Sequence, residues 1–280
     1  MTQNKHMKSN LIGKLSAGLL LAALMSAIQA PSAHAVIYTF QQGFSGYTGA
    51  TSTYTQYGYD REINNYGGNQ FQMVHNRGAS PSNVTFQRWD LSSITAPVDV
   101  TSASLTIYFQ ISGAINSVMT YNLYPILRTG LNFGTADDAP QTGTVTFSAS
   151  SYDPGTPIGW GLANSGTSGP VAGEDYSLTS IGSFSTPLLS PPTLTFALDP
   201  STVESWINTP ASNLGFVIVG NGNPGDRIVF YSKNVVGLEG PVFTVDAAVV
   251  PEPSALALLG LAAASVFLIL KRRNPARSLA

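Results

Sequence analysis

The 280-residue chain has no cysteine, only three histidines and few charges: Asp, Glu, Lys and Arg together make up 10% of it. Without cysteine there is no disulfide staple, no thiol nucleophile and no cysteine-ligated metal, so stability has to come from the core. His6 and His34 fall in an N-terminal leader described below, which leaves His75 in the mature chain. One histidine cannot build a multi-histidine zinc site within one chain, and it leaves almost nothing for a Ser-His-Asp triad. Basic residues are scarce in the interior too: residues 36–249 hold six Lys and Arg against fourteen Asp and Glu, a net charge of −8. Such a surface has no cation cluster to displace nucleic-acid counterions, so no nucleic-acid partner is expected, and anionic lipid would repel it.

Long apolar runs are confined to the two ends. Lys5, Lys8 and Lys14 precede an apolar stretch over 15–28, and Ala33-His34-Ala35 supplies the small-x-small pattern that a signal peptidase cuts after. Residues 1–35 therefore read as a helical signal peptide, with cleavage marked by Ala33 and Ala35 and Val36 as the mature N-terminus. At the other end Val250-Pro251-Glu252-Pro253-Ser254 leads into sixteen uncharged residues, 255–270, which stop at Lys271-Arg272-Arg273. As a helix they would span roughly 24 Å, a little short of the roughly 30 Å hydrocarbon core. Snorkelling of the basic stems covers the difference at small cost. The excess of cations beyond it keeps the tail cytoplasmic and places the rest of the chain across the membrane. Pro251 and Pro253 hold the segment before the expected transmembrane helix extended, as a processing enzyme requires.

The order Val-Pro-Glu-Pro, apolar helix, Lys-Arg-Arg over residues 250–280 resembles the PEP-CTERM sorting signal of exopolysaccharide-making Gram-negative bacteria. The resemblance implies a sorting motif at Pro251, Glu252 and Pro253 and a membrane stop at Lys271, Arg272 and Arg273. It also implies an exosortase, a membrane-embedded cysteine transpeptidase, as partner. The protein would be held in the inner membrane during sorting and then delivered to the cell surface or extracellular matrix.

Between the ends, residues 36–249 are long enough for one large β domain. Short alternating or β-branched stretches recur between Gly, Pro, Ser and Asn clusters, which predicts an all-β antiparallel sandwich. Strands are expected over 70–75, 84–89, 102–111, 118–127, 144–149, 193–198, 215–219, 227–232 and 241–246. In one of them Leu105, Ile107 and Phe109 share a face, with Thr106, Tyr108 and Gln110 on the other. One short helix is expected over 200–208, capped by Ser201 or Asp199, with Val203, Trp206 and Ile207 on its buried side. Residues 149–190, rich in Gly, Ser, Thr and Pro, read as a long surface excursion.

Several of these pieces, in order, resemble the DNRLRE domain. They are Asn65-Tyr66-Gly67-Gly68, then Phe86-Gln87-Arg88-Trp89-Asp90-Leu91-Ser92-Ser93-Ile94, then Val100-Thr101-Ser102-Ala103-Ser104-Leu105-Thr106-Ile107-Tyr108, and later Trp160-Gly161, Trp206, Leu214-Gly215-Phe216 and Phe230-Tyr231-Ser232 with Pro241. The family usually has an aliphatic or aromatic residue, most often Phe, where this chain has Trp89. The resemblance implies a non-catalytic, jelly-roll-like module related to carbohydrate-binding modules, some relatives of which bind acidic polysaccharide.

Arg88 and Asp90 flank Trp89 and by period two share the face opposite it, where a structural ion pair or hydrogen-bonded brace is expected. Tyr47, Tyr54, Tyr57, Tyr59 and Tyr66 cluster near the start of the domain. Exposed aromatic rings stack on sugars, so Tyr54, Tyr57 and Tyr59, with Trp160, are the candidate glycan contacts, against the commoner role of strand-edge tyrosines. Asp60-Arg61-Glu62, Asp137-Asp138 and Glu174-Asp175 offer carboxylates in loops. They could serve glycoside hydrolysis or hold a structural calcium, or they are simply solvated charges. His75 reads as a turn residue rather than a lone base. No catalytic, cofactor-binding or metal-binding residue is assigned. Two classes of function follow: a non-catalytic surface or matrix protein associating with exopolysaccharide, and a lyase or glycoside hydrolase with its site in 149–190. The first is preferred because binding asks only for aromatic and polar groups on a rigid scaffold.

Overall fold

The structure is a computed structural model that describes residues 35–58, 61–76, 83–110, 118–161, 169–186, 193–221, 225, 227–235, 240–250 and 265. The chain divides into two compact units, Ala35–Val249 and the terminal segments Met1–His34 with Val250–Ala280. Residues 1–34 of the expected signal peptide, the sorting motif, the basic stop and the apolar span lie outside the described residues, except Ser265, which is helical; Ala35, expected to end the signal peptide, is instead the first residue of a β-strand. Among the described residues no helix is long and apolar enough to cross a membrane.

Residues Ala35–Val249 form the expected antiparallel sandwich. One sheet has the order β1-β13-β6-β10, from Ala35–Gln41, Val242–Val249, Val98–Tyr108 and Thr193–Leu198. The other has the order β2-β5-β11-β7-β9, from Ala50–Tyr54, Thr85–Trp89, Phe216–Asn221, Met119–Pro125 and Gly182–Thr186. Two short ribbons flank them: β4 (Phe71–His75) with β12 (Arg227–Tyr231), and β3 (Asn64–Asn65) with β8 (Ala139–Pro140). The period-two pattern explains the longest strand, β6. Leu105 and Ile107 are fully buried while Thr106 and Tyr108 are partly exposed. Asp246 pairs with Ser102 and Ala247 with Val100, so Thr101 is an extra residue on β6, a bulge whose hydroxyl donates to the Asp246 carbonyl at 3.1 Å.

The inner faces meet in an aromatic core. Trp89 stacks between Phe216 at 5.7 Å and Phe243 at 5.4 Å, and Phe184 stacks on Tyr121 at 4.9 Å and Phe196 at 4.6 Å. Helix α1 (Pro200–Asn208) closes one end, burying Val203, Trp206 and Ile207 as the spacing predicts. Its cap is Asp199, whose carboxylate accepts from the Thr202 amide at 3.0 Å, and Pro200 occupies the first turn, where its missing N–H costs nothing. The Asn208 side chain bonds both the amide and the carbonyl of Val98 at 2.9 Å, and Glu204 accepts from the Val100 amide at 3.1 Å, which ties α1 to the start of β6.

Two expectations are corrected. Residues 144–149 are not a strand, although Thr144-Val145-Thr146-Phe147 alternates. All four are buried, and the backbone turns back on itself, with Thr146 N donating to Ala149 O at 2.9 Å. Nor is 149–190 simply a surface excursion: it supplies β9 and the buried Trp160. Irregular chain covers the outer face of the second sheet, where Phe86, Val84 and Val217 pack with Ile126, Phe133, Val145 and Trp160 in a second core. A buried loop must satisfy its own polar backbone, and this one does so through side chains. Asn65 donates to the carbonyls of Phe133 and Val145, each at 2.9 Å, and Trp160 Nε1 donates to those of Thr146 at 3.1 Å and Phe147 at 2.9 Å. At Gly67 a Cβ would lie 2.2 Å from the Gly134 carbonyl, so only glycine permits the contact between the two loops.

Candidate functional site

An open cleft of about 390 Å³ lies where β5 ends beside α1. Trp89, Asp90, Leu91 and Ser92 form one wall, Trp206, Ile207 and Asn213 another, and Thr51 and Arg88 complete it. Its volume is in the range of small-ligand sites. Each wall is held from behind. Asn213 donates to the Trp89 carbonyl at 2.8 Å, and Tyr47 donates its hydroxyl to the Asp90 carbonyl at 3.1 Å. At Gly215, φ is +87° and a Cβ would stand 2.3 Å from the Gln87 carbonyl, so glycine is needed to bring the return from α1 against β5.

Arg88 and Asp90, expected as an ion pair or a hydrogen-bonded brace, both line this cleft and are not paired with each other. The ion pairs among the described residues are Arg61–Asp138 and Arg128–Asp175. Arg88 lies over the Phe133 ring at 5.6 Å. Asp90 Oδ1 accepts from the Ser92 amide at 2.9 Å, so it braces its own turn. That backbone bond and then the Ser92 hydroxyl hold the Asp90 carboxyl below its ordinary range against the opposing effect of burial, with the Arg88 charge adding least. Burial raises the Tyr47 phenol above its ordinary range, so it stays a protonated donor. Trp89 Nε1 and Thr51 Oγ1 are buried with no hydrogen-bond partner among the described residues. The cleft thus gathers polar residues, Thr51, Arg88, Asp90, Ser92 and Asn213, that could hold a polyhydroxylated ligand by hydrogen bonds, whereas Trp89 and Trp206, each 5% exposed and stacked on Phe216, form its floor rather than an open stacking face.

Among the described residues the candidate glycan contacts are not brought together. Trp160 is 1% exposed and stacked flat on Phe86 at 5.6 Å, and Tyr54 is 8% exposed and stacked on Tyr66 at 4.2 Å. Both bury their faces because a sheet surface covered by loops offers more apolar contact than solvent does. Tyr57 is exposed and leans on Phe147 at 5.2 Å, and Tyr59 lies outside the described residues.

Of the loop carboxylates, Glu62, Asp137, Asp138 and Asp175 have structural partners, and Asp60 lies outside the described residues. Asp138 meets Arg61 at 3.2 Å and the Asn64 amide at 3.0 Å, Asp137 accepts from Asn69 at 2.7 Å, and Glu62 accepts from the Gly58 amide at 2.8 Å. Asp175 is buried. It pairs with Arg128 Nε and accepts from the amides of Gly161 and Val171, each at 2.8 Å, which ties these two residues to the chain that follows β7. Among the described residues no three His, Asp or Glu side chains converge as metal ligands. His75 sits at the end of β4, its backbone paired with Asn83. Local pattern does not mark Asn213, Arg128 and Asn65 as organising residues, since each makes a side-chain bond across 30 or more positions. Only Asn65, before the Gly67-Gly68 pair, carried a local signal of a tight backbone approach.

No curated protein matches the chain. Residues 249–273 match the PEP-CTERM protein-sorting motif, so the chain carries a signal that implies export and membrane-associated sorting by an exosortase-type enzyme.

Proposed function

We propose that this exported protein is a non-catalytic surface or matrix module that associates with exopolysaccharide through the cleft between β5 and α1. The observation that carries the proposal is the convergence of Arg88, Asp90, Thr51 and Asn213 beside Trp89 and Trp206 in one cleft of about 390 Å³. The resemblance of the domain to the DNRLRE family supports the same class of ligand. The net charge of −8 over residues 36–249 favours a neutral glycan, or an acidic one bridged by calcium. A polysaccharide-active enzyme would need two carboxylates across a sugar-binding cleft; Asp90 is the one acid lining this one.

The test is a glycan array run with and without calcium. Retention of a glycan that Arg88→Ala weakens about tenfold, a loss of roughly 1.4 kcal/mol, is expected. No retained sugar in either condition overturns the carbohydrate reading. Release of reducing ends or unsaturated products from a bound polymer overturns the non-catalytic one.

A further inference from the structure

The two ends of the sandwich leave it side by side. β1 opens at Ala35 and β13 closes at Val249, and the register sets Ala35 opposite Ala248, so the first and last strands are paired neighbours at the point where chain enters and leaves. The large apolar side chains exposed on these two strands are Ile37 at 69%, Val36 at 44% and Val249 at 42%. Val36 pairs with Ala247, so Val36 and Val249 share a face one diagonal step apart, roughly 7–8 Å. Ile37 projects from the opposite face, opposite Asp246, and exposed Asp99 pairs with Ala248, which gives the apolar end an acidic rim.

The sorting motif begins two residues after Val249, and two residues span at most about 7 Å. An enzyme that grips an extended motif covers several residues on either side of the bond it works on. With so little spacer it cannot reach Pro251-Glu252-Pro253 without meeting the strand ends. We propose that the β1–β13 end of the sandwich, with Val36, Ile37 and Val249, is a docking surface for the exosortase-type enzyme, which recognises the folded end together with the motif. The complementary surface on the enzyme is apolar with a basic rim. A bilayer is a poorer occupant, since the acidic rim and the acidic domain would be repelled by anionic headgroups.

The proposal rests on exosortase sorting and is independent of any glycan. Loss of the C-terminal segment from the full-length chain is followed by pulse-chase and mass spectrometry in a host that supplies the enzyme. Ile37→Ser with Val249→Ser should slow processing several-fold at unchanged Tm, whereas Leu178→Ser, at an exposed apolar residue elsewhere, should not. A six-residue Gly-Ser spacer between Val250 and Pro251 should itself slow processing and make it indifferent to the double substitution. Wild-type processing of both the double variant and the spacer chain overturns the proposal, as does equal slowing by Leu178→Ser. If vesicles of anionic lipid capture the wild-type domain but not the double variant, the surface belongs to the membrane and the proposal falls. A wild-type chain that keeps its tail overturns the sorting premise as well, a result distinguishable from failure of docking alone.

Discussion

Trp160 and Arg88 show how differently two residues of similar promise end up. Trp160 has the ring a sugar would stack on, yet its face is spent on Phe86 and its N–H on two backbone carbonyls. Trp160→Ala is therefore expected to lower the free energy of urea unfolding by about 3–5 kcal/mol, the usual cost of truncating a buried indole. Glycan retention by the fraction that remains folded should be unchanged, which a binding assay below the unfolding transition checks. Asp199 makes a second test at this scale. Hydrogen bonds from the Thr202 and Ser201 hydroxyls, helped by the backbone amides, hold its carboxyl below the usual range. The folded pKa is thus lower than the unfolded one of about 3.9, so its contribution is complete above that value and is lost as pH falls through the folded pKa. Asp199→Asn should keep the cap but flatten the fall of the urea midpoint below about pH 4, whereas Asp199→Ala should cost about 1 kcal/mol at neutral pH.

At the scale of elements, α1 both closes the sandwich and forms a wall of the cleft, because Trp206 packs on Phe216 at 6.4 Å while Asn208 is anchored to Val98. Its position depends on the anchor more than on its own helix propensity. Asn208→Ala removes two hydrogen bonds to a half-buried backbone, with an expected loss of about 1–3 kcal/mol in urea unfolding and weaker glycan retention as the wall loosens. The second core has a comparable anchor in Asp175. Arg128→Met leaves the Asp175 carboxylate buried without its cation, so a loss of about 3–5 kcal/mol is expected, read by the same unfolding measurement.

At the scale of the molecule, the pairing of β1 with β13 makes the first and last strands of the domain neighbours. The first sheet closes only when the C-terminal strand is present, a non-local contact of the kind that slows folding. A chain ending at residue 241 leaves β1 without a partner and β6 with one open edge. It is expected to lose its cooperative urea transition; a transition like that of the full domain would show that β13 is dispensable.

Period and punctuation made most of the sandwich legible along the chain. Strands near 71–75, 85–89, 98–108, 119–125, 193–198, 216–221, 227–231 and 242–249, and the helix with its buried face, follow from local pattern because one face of each is dry. The sorting signal was legible for a different reason: it is a contiguous run of sequence, matched as such over residues 249–273. Tertiary structure decided what local pattern could not. Residues 144–149 alternate perfectly and yet coil, because the side chains of Thr144, Val145, Thr146, Phe147 and Ala149 are all buried, on both sides of the alternation. β9 has one large apolar residue, Phe184, and is a strand only because β7 offers it an edge. The cleft joins Thr51, Arg88, Asp90, Trp206 and Asn213 from three parts of the chain. Such a juxtaposition is set by register and by backbone approaches like that at Gly215, which no spacing along the sequence encodes.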